Sequence, residues 1–168
     1  MISYIGLGSN LGDRLQHLKD VLVLLKENHK IAIRKISPVY ESEPLAGGDE
    51  QGDYLNAVLE LGTDLEPREL LLVLKEIEER LGRKKDKTRW SSREIDLDLL
   101  ACDDIVVREP DCEIPHPRLH KRAFVLRPLA DVSPTWQHPV SNKKVSVLLD
   151  GLTAKGRCRK IEETISLD

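Results

Sequence analysis

The sequence predicts an α+β sandwich with a mainly antiparallel sheet, and three observations carry that reading. Two stretches, 15–25 and 70–81, repeat apolar residues at helical spacing. Four short apolar stretches, 2–7, 31–40, 54–61 and 95–101, read as strands, with Gly, Pro or Asn at most of the joints between elements. Their order is β-α-β-β-α-β, which suggests a ferredoxin-like fold with C-terminal additions.

Each element has its own signal. Ile2 to Leu7 is short, apolar and β-rich, and Gly6, Gly8 and Gly12 read as turn makers after it. Asn10 is expected to hydrogen-bond backbone inside that turn. Asp13 caps a first helix with Leu15, Leu18, Val21, Leu22 and Leu25 as its stripe, ending near Asn28. Ile31 to Tyr40 alternates, with Ile31, Ile33 and Val39 as burial candidates, but Pro38 marks it as an edge or bulged strand. Glu43 to Asp53 is a glycine-rich loop long enough to suggest function. Tyr54 to Leu61 sets Leu55, Ala57, Leu59 and Leu61 on one face and Tyr54, Asn56 and Val58 on the other.

Pro67 suits a first helical turn, Leu70, Leu74, Ile77 and Leu81 form one helical face, and Gly82 closes it. Ile95 to Ala101 is the next strand, Asp103-Asp104 a turn and Ile105 to Arg108 a short strand. Val125 to Ala130 and Val145 to Leu149 read as short helices. With no internal repeat and no linker, 168 residues are expected to form one domain, 1–168.

Composition narrows the function. A net charge of −3 and a pI near 6.0 argue against general binding to nucleic acid or an anionic membrane. No apolar run is long enough to span a bilayer, and the N-terminus does not read as a secretory signal. Cys102, Cys112 and Cys158 have no metal-site spacing, so small buried thiols are expected, in a cytoplasmic protein.

The chemistry concentrates at Asp96-Leu97-Asp98. On a strand, alternate side chains share a face, with Cα atoms roughly 6.5–7 Å apart. Two carboxylates project together while Leu97 and Leu99 turn to the core, and hard oxygen pairs suit Mg²⁺. Alone, such a motif is more often a solvated strand face. Just upstream, however, residues 80–93 hold seven basic side chains against Asp86 alone. Arginines and lysines there can grip phosphate oxygens in bidentate fashion. A basic loop beside an acidic pair is what phosphoryl transfer requires. No P-loop is present, and Gly6-Leu7-Gly8 lacks the context of a dinucleotide fingerprint.

Further along, Ile114 to Arg122 is a second basic cluster. His116 there reads equally as a phosphate donor or a surface histidine, and Arg122 as support for the first arginine group. Trp136 reads as packing, and Trp90 as a ligand-facing residue in the basic loop.

Four blocks then coincide. They are Gly6 to Arg14, Tyr40 to Pro44 continuing through Gly47 and Gln51 to Ala57, Arg89 to Asp98, and Pro115 to Arg118 with Phe124 to Leu126. Together, from the first residues to about Pro134, they resemble the 6-hydroxymethyl-7,8-dihydropterin pyrophosphokinases. The resemblance implies transfer of diphosphate from ATP to a pterin in folate synthesis, with two Mg²⁺ ions on Asp96 and Asp98. It implies Arg83 and Arg93 in a catalytic loop, Lys85 and Trp90 near the nucleotide, and His116 and Arg122 at the triphosphate. It also implies Tyr54 and Phe124 around the pterin ring, Asn56 on its edge, and backbone near Ser42 and Leu45 reading its other polar groups. Ser91-Ser92 stands where the family usually has Gly-Pro, which bears on loop stiffness.

ATP and the pterin are the expected partners of a monomeric chain. A small-molecule-sensing domain of the same topology needs no acidic pair beside an arginine loop. An RNA-binding module would show aromatic strand motifs that Tyr4-Ile5-Gly6 lacks.

Overall fold

Strand β1 (Ile2–Ser9) lies inside the sheet and accounts for the early apolar run. In the computed structural model, which describes residues 1–45, 51–83, 92–153 and 156–166, it is followed by helix α1 (Arg14–Lys26). The Asp13 side chain caps α1 by accepting from the Gln16 N–H at 3.0 Å. Leu18, Val21, Leu22 and Leu25 are buried along its inner face.

The predicted 31–40 strand is two strands, β2 (Ile31–Ile36) and β3 (Tyr40–Ser42), split around Pro38. Pro38 has no N–H to give a ladder. Ser37 maintains the connection, donating its N–H to Val58 O at 2.9 Å and accepting the Val58 N–H on Oγ at 2.9 Å. Strand β4 (Tyr54–Thr63) therefore carries both β2 and β3 on one edge and β1 on the other.

Helix α2 (Pro67–Arg80) follows, and Gly82 takes φ +97°, the left-handed conformation expected just beyond a helix end. Strand β5 (Asp96–Cys102) completes the antiparallel core on the far side of β1. Strands β6 (Val107–Glu109) and β7 (Cys112–Ile114) make a small hairpin. Helices α3 (Ala123–Val132) and α4 (Val145–Asp150) lead to β8 (Cys158–Lys160), which pairs with β3.

The sheet order is β5-β1-β4-β3-β8, with β2 also on β4. The core is the ferredoxin-like pattern. Helices α1 and α2 bury Leu18, Leu22, Leu70 and Leu74 against Ile5, Leu59 and Leu61 on one face. The opposite face meets α3, α4 and Trp136 through Tyr4, Val58 and Leu100. Cys102, Cys112 and Cys158 are buried and unbridged.

Two local expectations are corrected. Gly6 and Gly8 lie within β1 and make no turn; only Gly12, at φ +69°, does. A Cβ on Gly6 would meet the Leu100 side chain at 3.4 Å, an ordinary contact. Asn10 does not bond within its own turn. It accepts the Arg93 N–H on Oδ1 at 2.8 Å, donates its own N–H to Arg93 O at 3.1 Å, and donates Nδ2 to Gly52 O at 3.3 Å. It ties the end of β1 to two segments distant in sequence.

Candidate active site

Asp96 and Asp98 stand at the start of β5, and the strand's alternation sends both carboxylates to one face while Leu97 and Leu99 enter the core. Four basic side chains converge on them. Arg83 and Arg93 each place Nη1 on the same oxygen, Asp96 Oδ1, at 3.1 and 2.8 Å. Arg122 Nη1 lies 3.5 Å from Asp98 Oδ2, and His116 Nε2 lies 4.0 Å from Asp98 Oδ1. Burial first, then the adjacent Asp96 carboxylate, push Asp98 up to about 6, against the opposing pull of Arg122.

Local backbone explains these placements. The His116 N–H donates to Leu100 O at 2.8 Å, which folds the 114–122 segment back onto β5. His116 Nδ1 accepts the Arg118 N–H at 3.1 Å, so in the neutral ring the proton sits on Nε2, facing Asp98. Burial, then Arg122 and Arg118, hold His116 down at about 4, so the neutral ring prevails at neutral pH. Arg122 ends a short 3-10 turn and starts α3, where its carbonyl accepts the Leu126 N–H at 3.0 Å.

Glu78 was not foreseen. It sits on the inner face of α2, is 5% exposed, and accepts the Leu97 N–H at 2.7 Å while pairing with Arg83. Burial pushes its carboxyl up to about 7, although Leu97 and Arg83 oppose the shift. A signal existed in the sequence: Glu78 follows Leu74 by four residues on an apolar helical face, where an acid is out of place.

These groups line a cleft of about 560 Å³. It also takes in Tyr54, Asn56, Ser42, Leu45 and Phe124, so all the predicted site residues that the structure describes line one cavity. Lys85 and Trp90 lie outside the described residues. Asn56 donates Nδ2 to Ser42 Oγ at 2.8 Å, which fixes its amide and links β4 to β3. The Arg122 guanidinium lies 5.5 Å from the Phe124 ring centroid. Lys75, Arg118 and Gln51 also line the cleft, and the sequence assigns none of them a site role.

The donor set fits a divalent cation. Two hard carboxylates side by side, one held well above its ordinary range partly by the other, form a site that a cation would relieve.

An antiparallel α+β sandwich with paired acids, arginines and an aromatic-walled cleft defines a small phosphotransferase of the pyrophosphokinase class. Residues 4–134 match the model of 7,8-dihydro-6-hydroxymethylpterin-pyrophosphokinase. The chain belongs to that family. It is 41% identical over 155 residues to the 2-amino-4-hydroxy-6-hydroxymethyldihydropteridine pyrophosphokinase of Aquifex aeolicus, covering 92% of this chain and 94% of the relative. It is 40% identical over 131 residues to the Bacillus subtilis protein of the same name, covering 78% and 77%. Among solved structures, wild-type Plasmodium falciparum HPPK-DHPS with pteroate overlays with a TM-score of 0.70 at 16% identity. That match covers 89% of this chain but 44% of the longer one, and it supports the fold.

Proposed function

We propose that this chain transfers the β,γ-diphosphate of ATP to the hydroxymethyl oxygen of 6-hydroxymethyl-7,8-dihydropterin, releasing AMP, as an enzyme of folate biosynthesis. The observation that carries the reading is one cleft holding both the Asp96–Asp98 pair with its arginines and the Tyr54–Phe124 aromatics.

In this reaction the hydroxymethyl oxygen gives up its proton to solvent and bonds to Pβ, while the Pβ–O bond to the α-phosphate breaks and its electron pair leaves on AMP. Tyr54 and Phe124 hold the flat ring by its faces, and Asn56 and the backbone near Ser42 and Leu45 meet its polar edge. Arg83 and Arg93, poised on Asp96, are placed to stabilise phosphate charge in the transition state. Neutral His116 offers a fixed Nε2–H and Arg122 a charge beside them. Lys85 and Trp90 are assigned to the nucleotide on the family resemblance alone. Magnesium, as two ions on that resemblance, would be held by Asp96 and Asp98 and would neutralise phosphate charge and acidify the hydroxyl nucleophile.

No helix among the described residues is long and apolar enough to cross a membrane. The reading places the chain in the cytoplasm as a monomer with one catalytic domain spanning 1–168. The test is AMP formation from ATP with and without the pterin, followed by ³¹P spectroscopy of the product. A pterin carrying two phosphates is expected. Pterin-independent hydrolysis, or ADP as the nucleotide product, would refute the reaction.

A further inference from the structure

We propose that the C-terminal strand β8, entered through Arg157, is the positioning element for the pterin half of the cleft. The inference rests on the reaction proposed above. Strand β3 has only three residues and carries Ser42 into the cleft. Such a short strand held on one edge would be marginal. Its inner edge pairs with β4, Ser42 opposite Tyr54. Its outer edge pairs with β8, Ser42 opposite Cys158 and Tyr40 opposite Lys160. The pairing continues past both ends, with Ile161 N–H donating to Val39 O at 3.0 Å and Glu43 N–H to Arg157 O at 3.3 Å. Without this C-terminal segment, the backbone from Val39 to Glu43 would keep β4 on its inner edge and lose every one of these outer-edge partners.

Side chains extend the same grip to both ends of the 43–53 segment. Glu43 Oε1 accepts the Arg157 N–H at 3.0 Å, and the Arg157 guanidinium pairs with Asp53. A Cβ on Gly156 would stand 2.8 Å from that same Glu43 oxygen, so a side chain there would displace the carboxylate from the Arg157 N–H. Arg159 pairs with Glu41 at 3.1 Å, Glu41 with Arg14 at 3.1 Å, and Arg14 donates to Asp53 O at 2.8 Å. Glu41, Glu43 and Asp53, immediate neighbours of Ser42 and Tyr54, are thereby held by Arg14, Arg157 and Arg159. Single exposed ion pairs contribute little. Here they close a ring around a strand whose backbone pairing supplies the rest. β8 lies beyond residue 134, where the family match ends.

The experiment compares the full-length protein with Arg157→Ala/Arg159→Ala, Arg157→Lys/Arg159→Lys, Gly156→Val and a chain ending at residue 155. KM for pterin, KM for ATP, kcat and thermal unfolding are measured for each. The double alanine and Gly156→Val variants are expected to raise pterin KM roughly fivefold, with ATP KM and kcat within about twofold. The double lysine variant should recover most of that loss. The truncated chain should lose more pterin affinity, and if it does not fold, the point variants decide. Unchanged pterin KM in both point variants, or equal movement of ATP KM and kcat, would overturn the proposal. A wild-type protein that forms no AMP would instead refute the reaction, while direct pterin titration would still report on the strand.

Discussion

Glu78 accepts the backbone N–H of Leu97 at 2.7 Å, so a buried carboxylate on α2 holds the peptide between Asp96 and Asp98. Glu78→Leu would leave that buried donor without a partner and strand Arg83 from one of its two acids. A buried unsatisfied group costs about 1–3 kcal/mol, and that is the expected loss of stability. Glu78→Gln keeps an acceptor for Leu97 and should cost less. Denaturant unfolding of both variants checks this; a Glu78→Leu protein as stable as the parent would show that the bond is not holding the strand.

The same carboxyl ties stability to pH. Its folded value is about 7, above the ordinary 4.5, so the native state binds its proton more readily than the unfolded chain. Between those values, stability from this group falls as pH rises. At and above about pH 7 the full burial penalty is present; toward pH 4.5 it disappears. Relative to Glu78→Gln, the parent should therefore gain stability as pH drops through that window in metal-free buffer. A flat difference between the two proteins from pH 5 to pH 8 would contradict the shift.

Arg83 and Arg93 share one oxygen of Asp96, which couples the acidic pair to the basic segment. Asp96→Ala and Asp98→Ala should reduce AMP release by roughly a thousandfold or more while the fold persists, since each removes a hard ligand from the phosphate site. Near-normal turnover would refute the metal assignment. Arg93→Ala should lower kcat by roughly a hundredfold with a smaller change in KM, as expected of a contact strengthened in the transition state. A change confined to KM would refute that role.

The sequence was most legible where period and chemistry agreed. The stripes of α1 and α2, the Asp13 cap, the Gly82 stop and the alternation of Asp96-Leu97-Asp98 all depend on neighbours within a few residues. What escaped depends on distance. Strands β7 and β8 are three residues each, too short to show a period, and β8 exists because β3 offers it an edge. Gly6 and Gly8 look like turn residues until β1 is seen pairing through them with β4 on one side and β5 on the other. Asn10 bonds to Gly52 and Arg93, partners that only the folded chain brings near. Glu78 was visible as a polar break in an apolar stripe, but its partner Leu97 N–H was not.

Phe124 is the only phenylalanine in the chain, and it lines the cleft from α3 while Tyr54 lines it from β4. An aromatic face contributes area and stacking together, about 0.5–1.5 kcal/mol of it beyond area alone. Phe124→Leu keeps much of the area and loses the stacking, and Phe124→Ala loses both; either change removes the ring that the Arg122 guanidinium faces. Pterin KM should therefore rise in the order Phe, Leu, Ala, by roughly tenfold at leucine and more at alanine. KM for ATP should move less in Phe124→Leu than in Phe124→Ala, because leucine still fills the space beside Arg122 while alanine opens it, and Arg122 faces Asp98 at 3.5 Å. Steady-state kinetics with each substrate varied in turn resolves the two effects. A Phe124→Ala enzyme whose ATP KM alone changed would move Phe124 from the pterin to the nucleotide side of the cleft.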